Sequence, residues 1–330
     1  MEAPYFTVII TAFNRKLFLL DAVKSALNQT LDRKLFEIIV VKNFLDHEID
    51  NYLISNDVRI INSPSFSVGE YLTIGGENSI GTVLCFLDDD DIFTPNKLEY
   101  LYKLYKQNVN LGYLHNSFET IDVHGDSIVR KLDKKMKKRT IRLTEPINQK
   151  EIRMLLKKRA NANMSSISIK KDILIRWKTS LKKIRTNQDT FLLYLAAISK
   201  FDIISDKTIL SKYRIHESTS HFFGDIDDYI EKSIKFETAI LDSYRVINSI
   251  TKNTSIHNFS KSQYIQTMIN LYLLGDESCK PNLKELSLLV SSIWIRRAFF
   301  PVVFIINVFI TLINPKVGRS IHKIMLSHLT

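Results

Sequence analysis

The feature that most limits what this chain can fold into is a junction. Thr82 to Leu87 (TVLCFL) is an apolar run of strand length, and it passes without a break into four aspartates, Asp88 to Asp91. A continuously apolar strand is buried on both faces, the habit of parallel sheets covered by helices. The carboxylates then fall at the carboxyl end of a strand, where open α/β sheets bind their ligands. Four adjacent carboxylates repel one another, so the arrangement costs stability unless something positive sits among them. No lysine or arginine adjoins them in sequence. Carboxylate oxygens in this setting suit a hard divalent ion, Mg²⁺ or Mn²⁺. A solvated acidic turn is the competing reading.

Upstream, Phe6 to Ala12 (FTVIITA), Glu37 to Val41 (EIIVV) and Val58 to Asn62 (VRIIN) read as further buried strands. Between the first two, Leu17 to Thr30 places Leu20, Val23 and Leu27 at helical spacing. Strands alternating with helices predict an α/β domain with a mostly parallel sheet. From about Asp225 the pattern is helical only, over Asp227 to Ile250, Ser260 to Leu274 and Pro281 to Ala298. The expected division is residues 1–222 and 223–330. Ala298 to Asn314 runs seventeen residues without a charge, bracketed by Arg296 and Arg297 on one side and Lys316, Arg319 and Lys323 on the other. At about 1.5 Å per residue it reaches about 26 Å, short of a hydrocarbon core. It is expected to lie in a membrane interface or insert partly; a buried core helix, or pairing with a second copy, is the alternative.

Composition narrows the class. A chain of 330 residues exceeds one ordinary domain, and its 45% hydrophobic and 25% charged content exclude whole-chain disorder. Two cysteines, Cys85 and Cys279, cannot build a disulfide framework and suit a reducing compartment. No secretory leader pattern is expected at the amino end. The first glycine is Gly69, which excludes a Walker A loop and a dinucleotide fingerprint after the first strand. The net charge of +11 is uneven: Arg130 to Arg185 holds twenty lysines and arginines against four acids, a local +16 that leaves the rest of the chain at −5. That segment suits phosphates or an acidic membrane surface, or is a solvated face. Nucleic acid is not expected, since Arg130 to Arg139 has no aromatic residue on which bases could stack.

The motifs, in order, resemble those of the family 2 glycosyltransferases. They are T-A-F-N-R (Thr11 to Arg15) with S-A-L-N-Q-T (Ser25 to Thr30), E-I-I-V-V (Glu37 to Val41), G-G-E-N-S-I-G (Gly75 to Gly81) leading into L-D-D-D-D (Leu87 to Asp91), I-D-V-H-G-D (Ile121 to Asp126), N-Q-D-T-F (Asn187 to Phe191) and Y-R-I-H-E-S-T-S (Tyr213 to Ser220). The resemblance covers roughly residues 5 to 221. It implies a GT-A fold, a Rossmann-like mostly parallel sheet that binds nucleotide-diphospho-sugars, followed here by an all-helical C-terminal region. It implies an inverting transfer that depends on Mn²⁺ or Mg²⁺, from a UDP- or GDP-sugar.

Carried over by motif, Thr11, Phe13, Arg15 and Asn78 face the nucleotide, as do Asp88 and Asp89. Asp90, with Asp88 and His216, reaches the metal, and Asp91 supports that shell. Asp189 is the general base. The chain also departs from the family. Lys42 and Asn43 stand where many members have a nucleobase-reading aspartate, with Asp46 as a candidate replacement further along. Gln188 and Glu77 replace a usual glutamate and a frequent arginine, and no Q-x-x-R-W motif of processive synthases is present. The expected acceptor is a lipid-linked saccharide, a polyprenyl phosphate or another glycan, met at the cytoplasmic face of a membrane. A sugar nucleotidyltransferase would want a glycine-rich loop after the first strand. A non-catalytic sugar-nucleotide or lipid-phosphate binder would have no use for Asp189.

Overall fold

The computed structural model describes residues 3–65, 67–128, 139–216, 226–292 and 301–327. The chain forms two compact units, Met1–His216 and Glu217–Thr330. Most of the basic stretch from Arg130 to Arg139 lies outside the described residues, as do residues 217–220 of the last motif and 298–300 of the uncharged run.

In the first unit the strands are β1 (Phe6–Ala12), β2 (Phe36–Lys42), β3 (Arg59–Asn62), β4 (Val83–Asp88), β5 (Ile92–Phe93), β6 (Leu111–Ile121), β7 (Ser127–Ile128), β8 (Ile141–Leu143), β9 (Ile167–Lys170) and β10 (Asp202–Arg214). They form one sheet in the order β3-β2-β1-β4-β9-β6-β10-β5, with β7 beside β6 and β8 beside β10. The long ladders, β3-β2-β1-β4 and β6-β10, are parallel. The short β9 runs antiparallel between β4 and β6, so β4, β6 and β10 all end at the same edge. The result is a mostly parallel, Rossmann-like α/β sheet, as the motifs imply.

The helices of this unit are α1 (Leu19–Leu27), α2 (His47–Ser55), α3 (Val68–Asn78), α4 (Lys97–Gln107), α5 (Gln149–Lys157), α6 (Lys171–Arg176), α7 (Lys178–Leu181) and α8 (Gln188–Ala197). Strand alternation sorts the core. Phe6, Val8, Ile10 and Ala12 of β1 join Phe36, Ile38 and Val40 of β2 under residues of α1, α2 and α4. Ile9 points the other way, toward α3. There the glycines are helical: a Cβ on Gly75 would stand 2.6 Å from Ile9 Cγ2, and one on Gly69 1.9 Å from the Leu181 carbonyl oxygen. The helix needs them for contact, not for turning. Helix α8 has no exposed face after Asp189. Thr190 to Ala197 are all buried, because the helix is enclosed on every side and has no solvent face to spend on polar residues.

The second unit holds α9 (Ile226–Thr251), α10 (His257–Leu274), α11 (Leu283–Ser292), α12 (Pro301–Ile313) and α13 (Pro315–Ser327). The helix α10 packs against the other four. The uncharged run is one described helix of thirteen residues, α12, and Pro315 starts a new one. Phe304 and Val308 of α12 join Ile265, Ile269 and Tyr272 of α10 in the core, while Ile306, Phe309 and Ile313 are exposed. Among the described residues no helix is long and apolar enough to cross a membrane.

Candidate active site

Parallel register builds the site. Thr11 near the end of β1 pairs with both Val41 and Asp88, so the ends of three strands lie level. The antiparallel β9 begins at this edge, bringing the preceding turn Asn163–Ser166 against Asp88, whose N–H donates to Ser165 Oγ at 3.0 Å. The end of β10 brings Arg214 and His216. Helix α8 starts here too and runs back toward the start of β10, which sets Asp189 at the same edge. Asn161 Nδ2 donates to Thr190 Oγ1 at 2.7 Å, and four residues on Ser165 meets Asp88, so one short stretch of chain links the base of α8 to the aspartates.

The missing cation is Arg15. Its guanidinium grips Asp89 through both Nε, at 3.3 Å from Oδ2, and a terminal nitrogen on Oδ1, and reaches Asp90 Oδ2 at 2.8 Å. His216 Nε2 lies 2.8 Å from the same Asp90 oxygen. Arg214, almost fully buried, donates its backbone N–H to Asp91 Oδ1 at 2.9 Å and its Nε to the Asp90 carbonyl at 2.9 Å, and its guanidinium covers the Phe18 ring at 4.3 Å. Arg214 carries a signal that sequence reasoning passed over: it stands two residues before His216 at a strand end, so both side chains face one side.

The carboxylates are unlike one another. Burial, then the charges of Asp91, Asp90 and Asp89, pushes Asp88 well above the usual carboxylate range. Burial pushes Asp89 up to about 7 in spite of Arg15, and burial with Asp90 pushes Asp91 up to about 7. Burial also works to raise Asp90, but the His216 contact and Arg15 outweigh it and hold this group below the usual range. Oxygens of Asp88, Asp90 and Asp91 lie within 4.8 Å of one another. Asp91 Oδ2 is buried with no hydrogen-bond donor in position, the Ser165 and Asn163 side chains lying close by. An all-oxygen donor set with an unsatisfied carboxylate oxygen fits a hard divalent cation. His216 contacts Asp90 from outside this trio.

The remaining motif residues divide. Phe13 is 38% exposed, its ring 6.2 Å from Tyr71. Asp189 is half-buried at the first turn of α8, accepting from the Thr190 N–H at 2.6 Å. Asn78 is not brought here. It ends α3 at the amino edge of the sheet, its carbonyl accepting from Arg59 at the start of β3 at 2.8 Å. The length of β4 separates it from Asp88, about 17 Å at a strand's rise per residue. Asp46 is also diverted: it caps α2 through the Ile49 N–H and pairs with Lys16 at 2.9 Å. Lys42 is fully buried against Asp50 at 2.9 Å. Glu77 is paired with Lys178 at 2.7 Å.

Residues 7–162 match the family model for glycosyl transferase family 2. Over that stretch the chain is similar to the family 2 glycosyltransferases. Among curated relatives, an uncharacterised glycosyltransferase of Haemophilus influenzae is 27% identical over 57% of this chain and 61% of its own length. One of Methanocaldococcus jannaschii is 28% identical over 65% and 72%, and one of Rickettsia felis 26% identical over 38% and 21%. The chain thus spans only part of these proteins. The crystal structure of S. aureus TarS 1-349 in complex with UDP-GlcNAc shares the fold, with a TM-score of 0.55 at 14% identity, covering 93% of this chain and 91% of that one.

Proposed function

We propose that the chain is a metal-dependent inverting glycosyltransferase that moves a sugar from a nucleoside-diphosphate donor to an acceptor hydroxyl. One observation carries this reading: the parallel register of β1 with β4 brings the loop bearing Arg15 to the Asp88, Asp90 and Asp91 trio. The match of residues 7–162 to the family 2 model supports it, and TarS, of the same fold, was solved with UDP-GlcNAc, which makes a UDP-sugar the first donor to try.

Asp88, Asp90 and Asp91 would hold the cation, and Mn²⁺ or Mg²⁺ bound there would supply positive charge to offset that of the departing diphosphate. Arg15, once drawn off Asp90, offers its guanidinium to the same phosphates. Asp189 takes the proton of the acceptor hydroxyl as that oxygen bonds to the anomeric carbon, and the bond from that carbon to the diphosphate oxygen breaks with the electron pair leaving on the diphosphate. A single displacement inverts the anomeric centre and needs no enzyme nucleophile.

For the acceptor we infer a lipid-linked saccharide or polyprenyl phosphate at the cytoplasmic membrane face. Residues 286–330 contain no acid and five lysines or arginines, and α12 exposes Ile306, Phe309 and Ile313. Cations beside an apolar face suit an anionic lipid surface. Sedimentation of the full chain with anionic liposomes, reduced in Phe309→Asp, is the expected result. Self-association without liposome binding would assign the face to a second copy instead.

Calorimetric titration with UDP and GDP, with and without Mn²⁺, tests the donor site. Metal-dependent binding of one nucleotide, lost in Asp90→Asn, is expected. Binding of neither would remove the aspartates as a donor site and favour a binding protein of other specificity.

A further inference from the structure

Lys97 is the first residue of α4 and fully buried. Both facts count against it, since a cation at a helix N-terminus opposes the macrodipole and a buried amine forfeits its hydration. Its surroundings explain its retention. Nζ donates to the Ser165 carbonyl oxygen and, at 3.0 Å, to Ser211 Oγ, and lies 3.8 Å from the centre of the Phe93 ring. Ser211 Oγ in turn donates to the same Ser165 carbonyl at 2.6 Å and accepts from Asn116 Nδ2 at 3.1 Å. Ser165 is the residue whose hydroxyl receives the Asp88 N–H, and its turn is held further by Ser165 N–H on Asn163 Oδ1 at 2.9 Å. Asn163 has a left-handed backbone, φ 71°, so the turn needs outside support.

We propose that Lys97 is a positioning residue for the aspartate corner: from inside the core it clamps the Asn163–Ser166 turn, and through Ser165 it sets where Asp88 and Asp91 stand. This rests on the donor-site reading above, but it concerns the turn itself. Burial pushes the Lys97 ammonium down to about 7, and the geometry tolerates either form, because a neutral amine keeps two N–H groups for its two oxygen partners.

The test uses the full chain, wild type against Lys97→Met, which keeps the stem and removes the nitrogen, with Ser211→Ala as a second variant that removes a donor from Ser165 while leaving Lys97. Hydrogen exchange of the metal-free proteins is read over residues 83–92 and 159–168. Exchange faster by about fivefold or more in these two segments, with β1 and β2 unchanged, is expected. So is Mn²⁺-dependent UDP affinity weakened about tenfold in Lys97→Met and less in Ser211→Ala. Unchanged exchange, or faster exchange spread evenly over the domain with nucleotide affinity intact, would overturn the proposal by making Lys97 an ordinary core residue. If Lys97→Met does not fold, Ser211→Ala alone decides by the same exchange readout. Wild type that binds no nucleotide while the exchange contrast persists would sink the donor-site reading and leave Lys97 as the clamp of this turn.

Discussion

Arg15 grips Asp89 across seventy-four residues of chain, with Nε and a terminal nitrogen on the two carboxylate oxygens. The arginine is 45% exposed and the aspartate only 2%, so a surface loop supplies the charge that a buried acid lacks. Arg15→Ala is expected to lower stability by about 1–3 kcal/mol near neutral pH, the cost of leaving a buried polar group unsatisfied. The loss should shrink below pH 6, where Asp89 takes a proton and no longer needs the arginine. Urea unfolding at pH 5 and pH 8 checks both parts, and an equal loss at the two pH values would contradict them.

Asp89 and Asp91 are each raised from 3.8 to about 7, burial being the first cause in both. A carboxyl whose folded value lies above its unfolded one stabilises the fold while protonated. That contribution is complete below about pH 4 and fades as pH rises through 7. The metal-free protein should therefore melt at lower temperature at pH 8 than at pH 5. Added Mn²⁺ should raise the melting temperature more at pH 8, because the cation competes with protons for Asp91. Melting curves at the two pH values, with and without Mn²⁺, read this directly.

Asp189→Asn keeps the shape of the side chain and removes its basicity. We expect release of nucleoside diphosphate from the donor in the presence of acceptor to slow by about 10²- to 10⁴-fold, with nucleotide affinity within about twofold of wild type. Slowed turnover together with lost nucleotide binding would instead place Asp189 in the donor pocket.

Two glycines of α3 should rank by what their new Cβ would strike. On Gly69 it meets backbone, the Leu181 and Ile184 carbonyl oxygens at 1.9 and 2.7 Å. On Gly76 it meets the end of a side chain, Leu174 Cδ2 at 2.7 Å. Gly69→Ala should cost about 1–3 kcal/mol or more and Gly76→Ala less. Thermal melts of the two variants give the order.

Much of this fold was legible before any coordinates. Four strands and the helical second unit stand out because burial on both faces leaves continuous apolar runs, as at Phe6–Ala12 and Val83–Asp88. The acid cluster was legible for the same local reason, as an apolar strand ending in charge. Asn78 was not, because a match to a motif says which residues adjoin and not which edge of the sheet they meet. Nor was the buried face of α12, which takes in the polar Asn307 and Thr311 while the apolar Ile306, Phe309 and Ile313 stay exposed.

The sequence by itself determined the strands, the helical tail and the need for a cation among Asp88 to Asp91, since hydrophobic periodicity and like-charge repulsion are properties of neighbours in the chain. Only the tertiary structure decided that Arg15 answers that need, that Arg214 and Lys97 support the corner from beneath, and that Lys42 and Asp46 are spent elsewhere. Those outcomes depend on parallel register, which lays the ends of β1, β2 and β4 side by side, and on which buried groups find partners once the sheet is closed.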